Sequence, residues 1–139
     1  MYPHQAIASF MLPATHRPYY EQLKANLEQL LQDIEATAES TSASIPLAPQ
    51  VQQVQQYFQQ QIMTLPTEEV DAAAVSRVQS VQTELHRYLR LLGTEVNFLA
   101  VSRNPSTTEK TLANLRDRVQ KLIAGCDTLL GTDTNNQPS

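Results

Sequence analysis

Few side chains in this sequence could carry out chemistry. The three histidines are His4, His16 and His86, and none has a second histidine, a cysteine or a carboxylate at ligand spacing on the same helical face. A metal site is therefore not expected. His86 lies beside a predicted core stripe, where a hydrogen-bonded boundary histidine is a simpler interpretation than a catalytic base. The single cysteine, Cys126, can form no internal disulfide, which favours a reducing cytoplasm.

The motifs of common enzyme classes are also missing. Three scattered glycines cannot form the loops that cradle phosphate, and the sequence has no G-x-S-x-G nucleophile elbow. Cys126 lies on an apolar stripe, which predicts a buried and inert thiol rather than a reactive one. The sequence therefore predicts a protein that is not an enzyme and that uses no cofactor.

Arginines that lie next to apolar side chains are the remaining candidates for a functional surface. The stretch YLRLLGTEVNFLAVSR has more apolar residues than one helical face can hold. At about 100° per residue, Leu91, Phe98 and Val101 form a second stripe on the far side of the helix, beside Arg87 and Arg90. This helix either is central and buries both stripes inside one bundle, or uses the second stripe to bind a partner. The first explanation suits Leu91 better than it suits Phe98 and Val101.

Basic residues concentrate in one part of the chain. Eight of the ten Lys and Arg lie in residues 77–121 with four acids, which gives this interval a formal charge of +4 and leaves −8 for the rest. Arg116 and Arg118 belong to this interval, and together with Arg87 and Arg90 they are candidates to pair with carboxylates of a partner. A solvated helix face is the alternative explanation of the asymmetry.

The overall charge argues against nucleic acid and membranes as partners. The formal net charge is −4, the isoelectric point is about 5.3, and no helix-turn-helix spacing is present. No apolar run approaches the roughly 20 residues that span a bilayer, and the N-terminal sequence does not resemble a signal peptide. We therefore expect a cytoplasmic protein that binds neither membrane nor nucleic acid.

Four amphipathic segments must position these residues. Thr15 is the predicted N-cap of the first helix. Residues Ser106 to Glu109 form a predicted capping box at the start of the fourth helix, and Gly131 is the predicted C-cap of that helix. The third would contain about 36 residues and be roughly 54 Å long. The predicted helices run from His16 to Ala38, from Pro49 to Leu65, from just after Thr67 to Arg103, and from Ser106 to Leu130.

Apolar residues recur at steps of three and four in each segment, which predicts an all-α fold. We expect an antiparallel bundle of about four helices with one long central helix. The predicted organisation is a flexible tail over residues 1–14, with a second plausible start at Met11, a bundle over 15–131, and a disordered tail over 132–139.

Four stretches lie between residues 11 and 130: MLPATHRPYYEQLKANLEQLLQDI, FQQQIMTL, SRVQSVQTELHRYLRLLGTEVNFLAVSR and LRDRVQKLIAGCDTLL. They resemble the cyanobacterial heterocyst frequency control protein PatD family, and the resemblance extends over nearly all of residues 11–130. The resemblance implies a small non-enzymatic regulator that binds the tubulin-like division protein FtsZ and modulates its assembly. It also implies a link to the frequency of nitrogen-fixing heterocysts. No residue-level motif for binding FtsZ carries over.

The leading hypothesis is a helical adaptor that binds FtsZ. One alternative is a helical nucleic-acid-binding regulator that uses the same arginines. Another is a structural homodimer whose seam is the second stripe. The contact residues come from the arginine-edged stripe and nearby cations, not from the resemblance. They are Arg87, Arg90, Leu91, Phe98, Val101, Arg116 and Arg118.

Overall fold

The computed structural model describes residues 11–39 and 46–131, and these residues form helices joined by turns and loops, without a strand. The predicted all-α fold is confirmed. In chain order the elements are α1 (Arg17–Glu39), α2 (Leu47–Tyr57), a π-turn (Phe58–Ile62), a 3₁₀ turn (Thr67–Glu69), α3 (Val75–Val101) and α4 (Pro105–Leu130).

Neighbouring helices pack antiparallel, as the sequence predicts. α4 packs against α1 and α3, and α2 packs against the same two helices from the other side. Lys24 in the first half of α1 pairs with Asp127 at the end of α4, with Nζ 2.6 Å from Oδ1. The hydroxyl of Tyr57, at the end of α2, donates to the backbone oxygen of Tyr19, at the start of α1. The four helices therefore run alternately up and down.

The predicted apolar stripes face the centre of the bundle. A buried leucine or phenylalanine side chain stabilises the fold by about 1.5–3 kcal/mol, so these stripes supply the main driving force for folding. α4 ends at Gly131, whose φ of 72° is left-handed, as predicted for a C-cap. Large side chains that are fully buried include Tyr20, Leu23, Leu27, Phe58, Ile62, Leu85, Leu92, Leu115, Leu122 and Leu129.

The predicted start of the third helix just after Thr67 is wrong. Val70 has extended backbone angles (φ −82°, ψ 136°) and is buried, so its side chain reaches the core by leaving the helical path. α3 begins only at Val75 and has 27 residues, which is about 40 Å, against 26 residues in α4. The predicted length of about 54 Å for the third helix is therefore wrong, and α3 and α4 are nearly equal in length. No helix in the described part of the chain is both long and apolar enough to cross a membrane.

Two predicted caps are also wrong. The side chain of Asn104, not a capping box from Ser106, caps α4 by accepting hydrogen bonds from the backbone amides of Ser106 and Thr107. Pro105 then occupies the first helical position, where its missing N–H costs nothing. Thr15 lies in a turn before α1, and its hydroxyl donates to the carboxylate of Glu69 at 3.0 Å.

α2 departs from the predicted helix from Pro49 to Leu65 at both ends. It begins at Leu47, so Pro49 falls within its first turn, where proline is tolerated. Its last turn widens into the π-turn, in which the amide of Met63 donates to the oxygen of Phe58, five residues back. Phe58 and Ile62 are both fully buried, so the wider turn keeps both in the core.

The structure describes residues 11–14 of the tail that was predicted for residues 1–14. Leu12 is buried in the core and Pro13 accepts a hydrogen bond from the His16 amide, so the prediction of a flexible tail is wrong for residues 11–14. Residues 1–10, and the disordered tail predicted for 132–139, lie outside the described residues.

Candidate partner-binding face

Phe98 and Val101 project from the side of α3 that faces away from the bundle. Their exposed fractions are 57% and 70%, the two highest among the large apolar side chains that stand out as exposed. The buried residues of the same helical segment, Leu92 and Val96, lie on the opposite side. The explanation in which the second stripe packs inside the bundle is therefore wrong for Phe98 and Val101, whereas Leu91 is half-buried.

Arg87 and Arg90 are exposed on the same side of α3. We use the term outer face of α3 for five residues of this side. Residues spaced by three, four, seven or eleven positions share one side of a helix, which is why these five form one continuous surface. They are Arg87, Arg90, Leu91, Phe98 and Val101.

Local contacts hold Arg87 in place. Its Nη2 lies 3.0 Å from Oε1 of Glu84, one turn earlier, and its guanidinium carbon lies 4.6 Å from the centre of the Tyr88 ring. The hydrogen bond to Glu84 raises the pKa of the Arg87 guanidinium, so this side chain stays charged at all physiological pH values. Arg87 thus presents a permanent and partly oriented positive charge at one end of the outer face.

Arg118 does not belong to this surface. Its Nη2 lies 3.5 Å from Oε2 of Glu95 on α3 and its Nη1 lies 3.6 Å from Oδ2 of Asp117. Asn114 also donates to Glu95, at 3.4 Å. The charge of Arg118, which the sequence offers as a partner contact, joins α3 to α4 in the bundle.

Arg116 lies on the other flank of α4. It lines a shallow groove against α1 with Ile34, Glu35 and Ala38. Residues two positions apart on a helix point about 200° away from each other, so Arg116 and Arg118 face nearly opposite directions. This spacing can be read from the sequence. The structure thus brings together five of the seven predicted contact residues and separates the other two.

A second groove lies beside Arg90, between α3 and the end of α2. It is lined by Gln55, Phe58, Gln59, Leu89 and Arg90 together with His86. His86 is exposed and stacks on Phe58, with ring centroids 6.1 Å apart and planes at 15°. The sequence did not predict this groove, because its lining residues come from α2 with its π-turn and from α3, which meet only in the folded bundle.

The other groups with potential chemistry are the possible metal ligands and the thiol of Cys126. No group of three or more His, Cys, Asp or Glu residues that could hold a metal occurs among the described residues. Cys126 is fully buried, and burial raises the pKa of its thiol to about 12. The thiol is therefore protonated and unreactive at neutral pH, as the sequence predicts.

The chain has no match among known protein families, curated proteins or solved structures.

Proposed function

We propose that this protein is a non-enzymatic helical regulator, similar to PatD, that binds FtsZ in the cytoplasm and modulates its assembly. It would thereby affect cell division and, in a filament that differentiates, heterocyst frequency. The proposed contact surface is the outer face of α3. The observation that carries the proposal is the exposure of Phe98 and Val101 on the same side of one helix as Arg87 and Arg90.

This composition is typical of protein–protein contacts. Aromatic and arginine side chains are enriched in interfaces, where a few of them account for most of the binding free energy. Phe98 offers an apolar surface that a partner can desolvate, and Arg87 and Arg90 speed association with an acidic partner by electrostatic attraction. FtsZ enters as the partner through the family resemblance alone.

Self-association through the same outer face is the second candidate function. The exposed apolar side chains Phe98 and Val101 favour it, because two copies that meet there would each cover the other's patch. Light scattering on the purified protein distinguishes the two cases. A monomer at micromolar concentration leaves the face free for another partner, whereas a dimer that Phe98→Ser dissociates assigns the face to self-association.

Sedimentation of FtsZ with GTP tests the proposal, with and without this protein and at two salt concentrations. We expect a shift in the polymer fraction and co-sedimentation that weakens as salt increases. Phe98→Ser should weaken co-sedimentation about tenfold, since it removes the proposed anchor. Met63→Ser is the matched control, because Met63 is also exposed, at 48%, but lies beyond the π-turn and away from the outer face.

Charge reversal provides the second arm of the experiment. Arg87→Glu combined with Arg90→Glu should abolish co-sedimentation, whereas Arg77→Glu combined with Arg116→Glu changes the net charge equally and should leave it intact. Circular dichroism melts confirm that each variant is folded. Unchanged binding by the Arg87 and Arg90 variant would refute this site, and absence of any effect of wild-type protein on FtsZ would refute the partner.

A further inference from the structure

The groove beside Arg90 has the dimensions of a pocket for one side chain. Its volume is about 240 Å³, below the roughly 300–1,000 Å³ of sites that enclose whole small molecules. Phe58 and Leu89 lie beneath it and are both buried, and its accessible rim includes Gln59, His86 and Arg90. A side chain with a polar, negatively charged end matches this rim.

The π-turn helps to shape the groove. Two of the lining residues, Phe58 and Gln59, lie in the π-turn, where the ring of helical hydrogen bonds is one residue wider than in an α-helix. Because it ends α2, the π-turn determines where Phe58 and Gln59 lie relative to α3.

A close contact between the two helices fixes the end of the groove. The side-chain amide of Gln55 donates to the backbone oxygen of Leu89 at 2.9 Å. Gly93 permits this approach, because a Cβ atom at position 93 would lie 2.7 Å from Nε2 of Gln55. The wall on this side is therefore already ordered before any partner binds.

The groove carries the positive charge of Arg90, which no ion pair among the described residues neutralises. Residues 47–62, which form α2 and the π-turn, contain no charged side chain. The two carboxylates of α3 are engaged elsewhere, since Glu84 pairs with Arg87, and Glu95 pairs with Arg118. Within the described residues, Arg90 forms no ion pair.

We propose that this groove receives the carboxylate-bearing side chain of an Asp or Glu from the partner that docks on the outer face of α3. The proposal rests on the proposed function and names the chemistry that the partner must supply. The carboxylate would lie against Arg90 and accept from the Gln59 amide. Arg90 links the two surfaces, because it belongs to both the groove and the outer face.

Co-sedimentation with FtsZ polymers is the first test. Arg90→Met keeps the length and apolar stem of the side chain but removes its charge, and Gln59→Leu removes the amide. We expect each to weaken binding, by about tenfold for Arg90→Met, and we expect Arg77→Met, on the same helix, to bind like wild type. If Phe98→Ser weakens binding but Arg90→Met and Gln59→Leu do not, the proposed function stands and the groove proposal is wrong.

A partner-independent test keeps the two proposals separable. The full-length ¹⁵N-labelled protein is titrated with N-acetylglutamate α-methylamide, and N-acetylglutamine α-methylamide serves as the uncharged control. We expect the glutamate compound alone to shift the side-chain amide signals of Gln55 and Gln59, and Arg90→Met to abolish these shifts. Equal shifts with both compounds, or no shifts in the wild-type protein, would overturn the groove proposal whatever FtsZ does.

Discussion

Arg118 of α4 reaches across to Glu95 of α3, with its Nη2 3.5 Å from Oε2. The side chain of Glu95 is only 14% exposed and that of Arg118 is 24% exposed, so this ion pair is largely shielded from water. Asn114 completes the arrangement by donating to the other carboxylate oxygen. A side chain that sequence analysis assigned to a partner therefore stabilises the contact between two helices of the bundle.

Removing the charge of Arg118 should destabilise the fold without affecting partner binding. Arg118→Met leaves the carboxylate of Glu95 partly buried without its cation, and we expect the free energy of unfolding to fall by about 1–2 kcal/mol. Arg116→Met, on the exposed flank of α4, should change it by less than about 0.5 kcal/mol. Urea denaturation measures both values, and equal effects of the two substitutions would contradict the structural role of Arg118.

Gly125 should not tolerate a methyl group. A Cβ atom there would lie 2.8 Å from Cδ2 of Leu85, a fully buried core side chain with little room to move. Overpacking of this kind costs about 1–3 kcal/mol and outweighs the gain of about 1 kcal/mol in helix propensity. We therefore expect Gly125→Ala to lower the free energy of unfolding, and a stabilised variant in thermal denaturation would show that this contact is looser than described.

Gly93→Ala should destabilise the fold less than Gly125→Ala, because the atom that a Cβ at position 93 would meet is the flexible end of the Gln55 side chain. The Gln55 side chain can swing away, at the loss of one hydrogen bond worth about 1 kcal/mol, which offsets the propensity gain. We expect a net change of less than about 0.5 kcal/mol. In a Gln55→Ala background the same substitution should stabilise by about 1 kcal/mol, and a double-mutant cycle measures this coupling. Additive effects would argue against the Gln55–Gly93 contact.

Asn104, rather than Ser106, should stabilise the start of α4 as its N-cap. Its side chain accepts from the amide of Ser106 at 2.8 Å and from that of Thr107 at 3.4 Å. Asn104→Ala should therefore lower the free energy of unfolding by about 1 kcal/mol. Ser106→Ala should have almost no effect, and a larger loss from Ser106→Ala would instead support the capping box. Chemical denaturation of both variants decides between the two caps.

The fold should lose stability in alkaline solution. Burial raises the pKa of Cys126 from 9.0 and of Tyr20 from 10.0, each to about 12, and the hydrogen bond to Asp127 also raises the pKa of Lys24. In all three groups the folded state retains a proton that the unfolded state releases. For Cys126 this stability is present below pH 9 and is lost as the pH rises to about 12, and for Tyr20 it is lost between pH 10 and about 12, by about 1.4 kcal/mol per pH unit for each of these two groups. Lys24 adds a loss in the same direction above pH 10.5.

Cys126→Ala isolates one of these groups. The variant's free energy of unfolding should fall less steeply between pH 9 and 11 than that of the wild type, because Tyr20 and Lys24 still contribute but the thiol does not. Comparing slopes rather than absolute values removes the separate cost of the smaller core side chain. Identical slopes from urea denaturation at several pH values would show that the thiol is not protonated preferentially in the folded state.

Much of the fold follows from local patterns along the chain. The spacing of Leu23 and Leu27 in α1, and of Leu115 and Leu122 in α4, identifies the buried side of each helix because a helical period depends only on sequence neighbours. Helix ends are less predictable. The break at Val70 occurs because its side chain packs into a core built by other helices, which no local pattern encodes.

Periodicity along the chain identifies the helical register of this protein and the outward stripe of Leu91, Phe98 and Val101 with its arginines. Once one side of a helix packs in the core, the period of 3.6 residues determines which residues remain outside. Which flanking side chains meet, such as Arg118 with Glu95 and Gln55 with Leu89, depends on how the helices pack against one another. These contacts join different helices, and the order in which helices surround a core is not contained in the periodicity of any one of them.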